Sequence, residues 1–153
     1  MPPFDRLDRQ ILSELQDSNL KTAQELADRV PLSASAIQRR IRHYRDSGVI
    51  IADVSVLNPK VAGGQFSVVL MIQLAQQASQ AVAELRAFLD RATQVQVILD
   101  VAGPYELMCI AMFDSLDSLN LFVDEQVAAH PSVIRYETIF VRRRSKFGVR
   151  VPL

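Results

Sequence analysis

The chain has 153 residues with 17 Lys/Arg against 17 Asp/Glu, so its formal net charge is zero and its average offers no attraction to a polyanion. At 49% apolar and 22% charged it has the composition of a chain that buries a core, and one cysteine with two histidines leaves almost no room for a disulfide framework or a zinc site of thiolates and imidazoles. The longest strongly apolar run, 66–74, is about half a membrane span, and the N-terminus has no apolar signal core, so a cytoplasmic protein with no membrane partner is expected.

The zero is a sum of unequal parts. Residues 1–50 hold eight basic and seven acidic side chains, 51–141 hold four and ten, and 142–153 hold five and none, giving +1, −6 and +5. Within the first part, Arg39, Arg40, Arg42 and Arg45 face only Asp46 between Ser33 and Gly48.

Leu7, Ile11 and Leu15 recur at helical spacing up to the turn cluster Asp17-Ser18-Asn19, which predicts a helix over 5–16. Thr22 with Glu25 forms a capping box for a second helix carrying Ala23, Leu26, Ala27 and Val30 and stopping at Pro31. Ser33 is the N-cap expected for a third, with Ile37, Ile41 and Tyr44 inward and Gly48 at its end. Two short helices joined by about three residues, the second basic outside, are the pattern of a helix-turn-helix whose second helix enters the major groove. Ser33, Ser35, Gln38, Arg39, Arg40 and Arg42 are the candidate DNA-binding residues. Arginine forks suit the guanine edge, glutamine suits adenine, and serine or arginine can hold phosphate. The competing reading of the same face is a solvated side of an amphipathic helix.

The β-branched run 49–56 predicts a strand, and Asn58-Pro59 with Gly63-Gly64 a linker. Beyond it the pattern predicts strand 66–74, helix 80–91, strand 95–101, strand 105–113, a helix capped by Asp114 or Ser115, and strand 133–142. The fold class is therefore α+β: an N-terminal helix-turn-helix (winged-helix-like) domain, 1–56, a linker, 57–64, a ferredoxin-like βαββαβ domain, 65–144, and a basic C-terminal tail, 145–153. The two central strands are apolar on both parities, so the face without helices should also be covered, most economically by a second subunit. The five basic residues of 142–153, Arg142, Arg143, Arg144, Lys146 and Arg150, could meet phosphate, pair with an acidic neighbour, or stay solvated.

The stretches LSASAIQRRIRHYRDSGVI and LDRQILSELQ, with Asn58-Pro59, VAGPYELM and Tyr136-Glu137-Thr138, together resemble the Lrp/AsnC (feast/famine) transcriptional regulators from about Leu7 to Val141. The resemblance implies a sequence-specific regulator of transcription that binds double-stranded DNA. It further implies a homodimer formed through the sheet, assembly up to a homo-octamer, and a small effector such as an amino acid. Leu32-Ser33 and Arg40-Ile41 match the family pattern, while Pro31 stands where glycine is usual. The effector loop, usually Thr-Gly-x-Tyr/Phe-Asp, reads Ala102-Gly103-Pro104-Tyr105-Glu106 here. Gly103, Tyr105, Glu106 and Thr138 are the candidate effector-binding residues; the missing hydroxyl at Ala102, the missing N–H at Pro104 and the longer acid at Glu106 imply a resized pocket.

The alternative class is an enzyme of the related fold, a tetrapyrrole decarboxylase, and a further alternative is a DNA-binding regulator with no effector. His43 and His130 have no recognisable catalytic partner nearby in sequence, so no enzyme activity, no catalytic residue, no metal and no cofactor is expected. Cys109, in an apolar central strand, reads as a core thiol.

Overall fold

The first helix, α1 (Arg6–Asp17), begins where the sequence provides its own cap: the Asp5 carboxylate accepts the Asp8 N–H at 2.7 Å and Asp8 accepts the Asp5 N–H at 2.9 Å. The structure is a computed structural model that describes residues 4–58, 61, 63–75 and 79–153. Thr22 and Glu25 make the expected capping box for α2 (Ala23–Ala27). This helix is shorter than its apolar pattern suggests, because the chain turns after Ala27; Val30 nevertheless stays buried, its N–H on the Leu26 carbonyl at 2.8 Å. Ser33 caps α3 (Ala34–Asp46), and Gly48 follows at φ 72°, a left-handed turn that favours glycine. Ile11, Leu12, Leu26, Val30, Ile37, Ile41 and Tyr44 form the core of this three-helix cluster.

The strand expected over 49–56 is not formed. Residues 51–58 have no regular structure, and Ile51 is 93% exposed. A strand needs a neighbouring backbone to complete its ladder, and β-branched composition alone supplies none. Pro59 of the linker motif lies outside the described residues.

The remaining elements are β1 (Phe66–Leu74), α4 (Ser79–Arg91), β2 (Val95–Asp100), β3 (Leu107–Phe113), α5 (Leu116–Phe122) running into a π-helical turn (Val123–Ala128), and β4 (Val133–Phe140). The sheet order is β2-β3-β1-β4 with every neighbour antiparallel, the ferredoxin-like βαββαβ arrangement. One parity of β1 (Val68, Leu70, Ile72, Leu74) and of β3 (Leu107, Cys109, Ala111, Phe113) is buried with Leu85, Leu89, Leu119, Phe122, Val123 and Val127 of the helices. Cys109 lies in this core, where burial pushes its thiol up to about 11. The other parity leaves Val69, Met71, Met108, Ile110 and Met112 partly covered and Val97, Leu99 and Ile139 exposed on the face without helices.

The chain divides into two units. One is Met1–Val56 together with Phe147–Leu153; the other is Leu57–Lys146. Phe147–Leu153 thus group with the helical unit.

Candidate nucleic-acid interface and ligand site

At the start of α3 the Ser33 Oγ accepts the Ala36 N–H at 3.3 Å and lies 3.1 Å from the Ser35 Oγ, which places two hydroxyls at the exposed end of the helix. The 3.6-residue period then separates two faces. Ile37, Ile41 and Tyr44 go into the core, while Ser35, Gln38, Arg39 and Arg42, at i, i+3, i+4 and i+7, form one exposed stripe. Arg39 and Arg42 make no ion pair among the described residues, so their guanidinium donors are uncommitted. Beside the stripe, Gln38, Arg42 and Arg45 share a shallow groove of about 310 Å³ with Lys21 from the entry of α2. Lys21 is paired to Glu14 at 2.6 Å and Arg45 to Asp53 at 2.9 Å.

Arg40 lies off this stripe. Its guanidinium turns toward α1, 2.9 Å from Asp5 Oδ2, and also pairs with Asp8, whose Oδ1 accepts the Tyr44 hydroxyl as well. Burial pushes the Asp8 carboxyl up, but the hydrogen bonds from Tyr44, the Asp5 amide and Arg40 outweigh it and hold the group below its ordinary value. Hydrogen bonds to Asp5 and Asp8 raise the Arg40 guanidinium further, and burial followed by the bond to Asp8 raises the Tyr44 phenol. The carboxylates that cap α1 therefore also fasten α3 to it. Arg40 stands among the DNA-binding candidates as a match to the family pattern Arg40-Ile41; that pattern carries no sign of the Asp5/Asp8 pair, more than thirty residues upstream.

The four candidate effector residues do not converge on one point. Gly103 is exposed in the β2–β3 turn with open space where a side chain would stand. Tyr105 sits on the open face of the sheet, its ring 5.8 Å from the Arg135 guanidinium carbon, and its phenol bonds the Glu137 carboxylate. That bond and burial raise the phenol; the same bond, with Arg135 beside it, lowers the Glu137 carboxyl. Glu106 turns into the sheet: its Oε2 accepts the Leu74 N–H at 2.7 Å, and its backbone bridges Ile72 and Val101. Thr138 pairs with Leu70 across β1–β4, so it shares the helix-side parity, opposite that of Arg135 and Glu137. Arg135 and Glu137 are functional candidates that the sequence reading passed over, although their i, i+2 spacing on β4 puts them on one face.

The two histidines lie far apart in the chain and in different surroundings. His43 is exposed near the end of α3; His130 Nδ1 accepts the Ser132 N–H at 3.3 Å and lies 2.8 Å from its hydroxyl, closing the turn into β4. Among the described residues no group of three His, Cys, Asp or Glu is placed to hold a metal, and no helix is long and apolar enough to cross a membrane.

Comparison with known proteins agrees with this architecture unit by unit. The chain matches the family model of the AsnC-type helix-turn-helix domain over residues 4–45 and that of the Lrp/AsnC ligand binding domain over 67–151. It is 30% identical over 153 residues to a leucine-responsive regulatory protein of Rhizobium meliloti, covering 98% of this chain and 96% of that one. It is 29% identical over 150 residues to an uncharacterized HTH-type transcriptional regulator of Sinorhizobium fredii, covering 98% and 89%. A transcriptional regulator from Neisseria meningitidis, solved as an L-Met complex, superposes with a TM-score of 0.87 at 23% identity, covering 98% of this chain and 97% of that one.

Proposed function

This chain belongs to the Lrp/AsnC family, and from that premise we propose that it is a sequence-specific DNA-binding transcriptional regulator tuned by a small metabolite. The observation that carries the reading is the exposed stripe Ser35, Gln38, Arg39 and Arg42 on a helix whose opposite side is locked into a core. Arg39 and Arg42 read base edges or hold phosphate, Gln38 reads a base, and the Ser33 and Ser35 hydroxyls meet the backbone at the helix entry. Arg40 positions the helix through Asp5 and Asp8. The test is binding of the purified protein to duplex from upstream of its own coding region at moderate salt. Preference over random duplex, weakening steeply with salt, is expected; equal affinity for both overturns the reading.

The apolar face of the sheet supports a homodimer, because Val97, Leu99 and Ile139 stand exposed beside a continuous row of methionines and branched residues. Such a dimer presents two α3 helices to one duplex, and further association of dimers, to an octamer, remains part of the proposal. The protein works in the cytoplasm, beside the chromosome.

The metabolite site is centred on the β2–β3 turn. Gly103 lets a ligand approach the backbone, Tyr105 supplies an aromatic wall and a hydroxyl, and Glu106 holds the turn through Oε2 and presents Oε1 to an ammonium group. Thr138, on the helix-side parity of β4, is kept as a candidate on the family resemblance alone. Arg135 and Glu137 bring opposite charges to the same end of the sheet, which suits a zwitterion. Leucine and methionine, named for the relatives, are the first ligands to try. A ligand that raises the melting temperature in the parent and loses its effect in Tyr105→Ala or Glu137→Ala supports the site; one indifferent to all six positions overturns it.

A further inference from the structure

The last seven residues alternate apolar side chains, Phe147, Val149, Val151 and Leu153, around one charge, Arg150. They form no regular element, yet they are held in the helical unit by particular partners on α1. The Gln16 side-chain amide donates Nε2–H to the Val151 carbonyl at 3.0 Å, and its Oε1 accepts the Val151 N–H at 2.5 Å. One side chain thus satisfies both backbone groups of one extended residue, as a neighbouring strand would. The Arg150 guanidinium donates Nη2–H to the Ser13 hydroxyl at 2.7 Å and pairs with Asp17 through Nη1. Ser13, Gln16 and Asp17 stand at i, i+3 and i+4, on the side of α1 opposite Leu7, Ile11 and Leu15.

We propose that this outer face of α1 is a docking surface for the chain's own C-terminal segment, recognising an extended backbone through Gln16 and the Arg150 cation through Ser13 and Asp17. The docked tail is then a detachable part of the DNA-binding unit. It has a consequence for signalling: β4, which carries Glu137 and Thr138, ends at Phe140, and only residues 141–149 separate it from the clasp. Docking closes a second, non-covalent connection of the helical unit to the chain that leaves the sheet unit, beyond the covalent linker, and release opens it. Arg150 is thereby assigned to Asp17 and withdrawn from the set of residues available to phosphate.

The test uses the full chain without DNA. Two hydrogen bonds and an exposed ion pair of ordinary strength slow Val151 amide exchange about tenfold over an undocked tail, read by NMR. Gln16→Ala, Asp17→Arg and Arg150→Asp should each remove that protection, and the charge-swapped double variant should recover it. Unprotected exchange in the parent overturns the proposal, as does failure of the double variant to recover while α1 stays folded by its own amide protection. In assemblies mixed from isotope-labelled and unlabelled chains, a Gln16–Val151 contact found only between chains overturns the intrachain assignment, and one found within a chain supports it. With DNA present, Arg150→Gln should leave the slope of log affinity against log salt unchanged; a fall of about one would mark a lost phosphate contact and overturn the assignment.

Discussion

The two units separate buried from functional residues by different periods. On α3 one helical repeat divides the chain into a core stripe and a reading stripe, and every residue of the reading stripe lies within eight positions of the others. In the sheet unit the period is two, and the residues that meet at one end of the open face come from the β2–β3 turn and from β4, thirty positions apart. A site built on one helix is local and its members are chemically independent. A site built across strands exists only once the register is set, and its members hold one another, as Tyr105, Arg135 and Glu137 do.

Emptying each core in turn shows whether the two units fold independently. Ile37→Ala removes a fully buried side chain from the helical cluster and Leu70→Ala one from the sheet cluster, each costing about 2–5 kcal/mol. Ile37→Ala should unfold the helical unit and abolish DNA binding while amide shifts of the sheet unit stay in place; Leu70→Ala should do the reverse to the shifts. Denaturant melts followed by NMR check this. Simultaneous loss of both units in either variant would show that the two are one cooperative body.

Within the helical unit the next effect separates reading from positioning. Arg39→Ala or Arg42→Ala should cost about 1–3 kcal/mol of DNA affinity, with either relaxed base preference or a salt slope lower by about one, and leave the melting temperature unchanged. Arg40→Ala should behave oppositely: it strips a partner from Asp5, Asp8 and Tyr44, lowers the melting temperature of this unit, and keeps the salt slope. Binding titrations at several salt concentrations, paired with thermal melts, distinguish the two.

How much of this was legible follows from the same contrast. The caps at Thr22 and Ser33, the inward stripe of α3 and the order of strands were readable because each is a local pattern of residue types. The pairing of Arg40 was not legible because its partners, Asp5 and Asp8, meet it only in the folded cluster. The strand over 49–56 failed for the complementary reason: Ile51, Val54 and Val56 have the composition of a strand, but among the described residues no backbone forms a ladder with them. Glu106 shows the limit most clearly. Its loop marked it as a ligand acceptor, and its carboxylate is also the hydrogen-bond acceptor for Leu74, thirty-two residues away.

That dual role gives a smaller effect in the sheet unit. Glu106→Ala leaves the Leu74 N–H without its acceptor and should cost about 1 kcal/mol by denaturant melt, whereas Glu106→Gln keeps an oxygen in place and should cost less. Ligand response should fall in both variants if Oε1 serves the ammonium group, since the amide carries no charge. A Gln variant with full ligand response would confine Glu106 to holding the turn.

The smallest expected effect is an acid dependence confined to the helical unit. Asp8 is held below its ordinary value of 3.8 by Tyr44, the Asp5 amide and Arg40, against burial. A carboxylate depressed in the folded state contributes stability in full above its unfolded value, and that contribution is lost as pH falls through the folded one. The helical unit should therefore weaken below about pH 4, when Asp8 takes a proton and releases Arg40 and the Tyr44 hydroxyl. Asp8→Asn cannot titrate, so it should lower the melting temperature near neutral pH and flatten the acid limb of the curve. An unflattened acid limb in Asp8→Asn would place the acid sensitivity on another carboxylate, with Asp53 and Glu14, both lowered by cationic partners, the ones to test next.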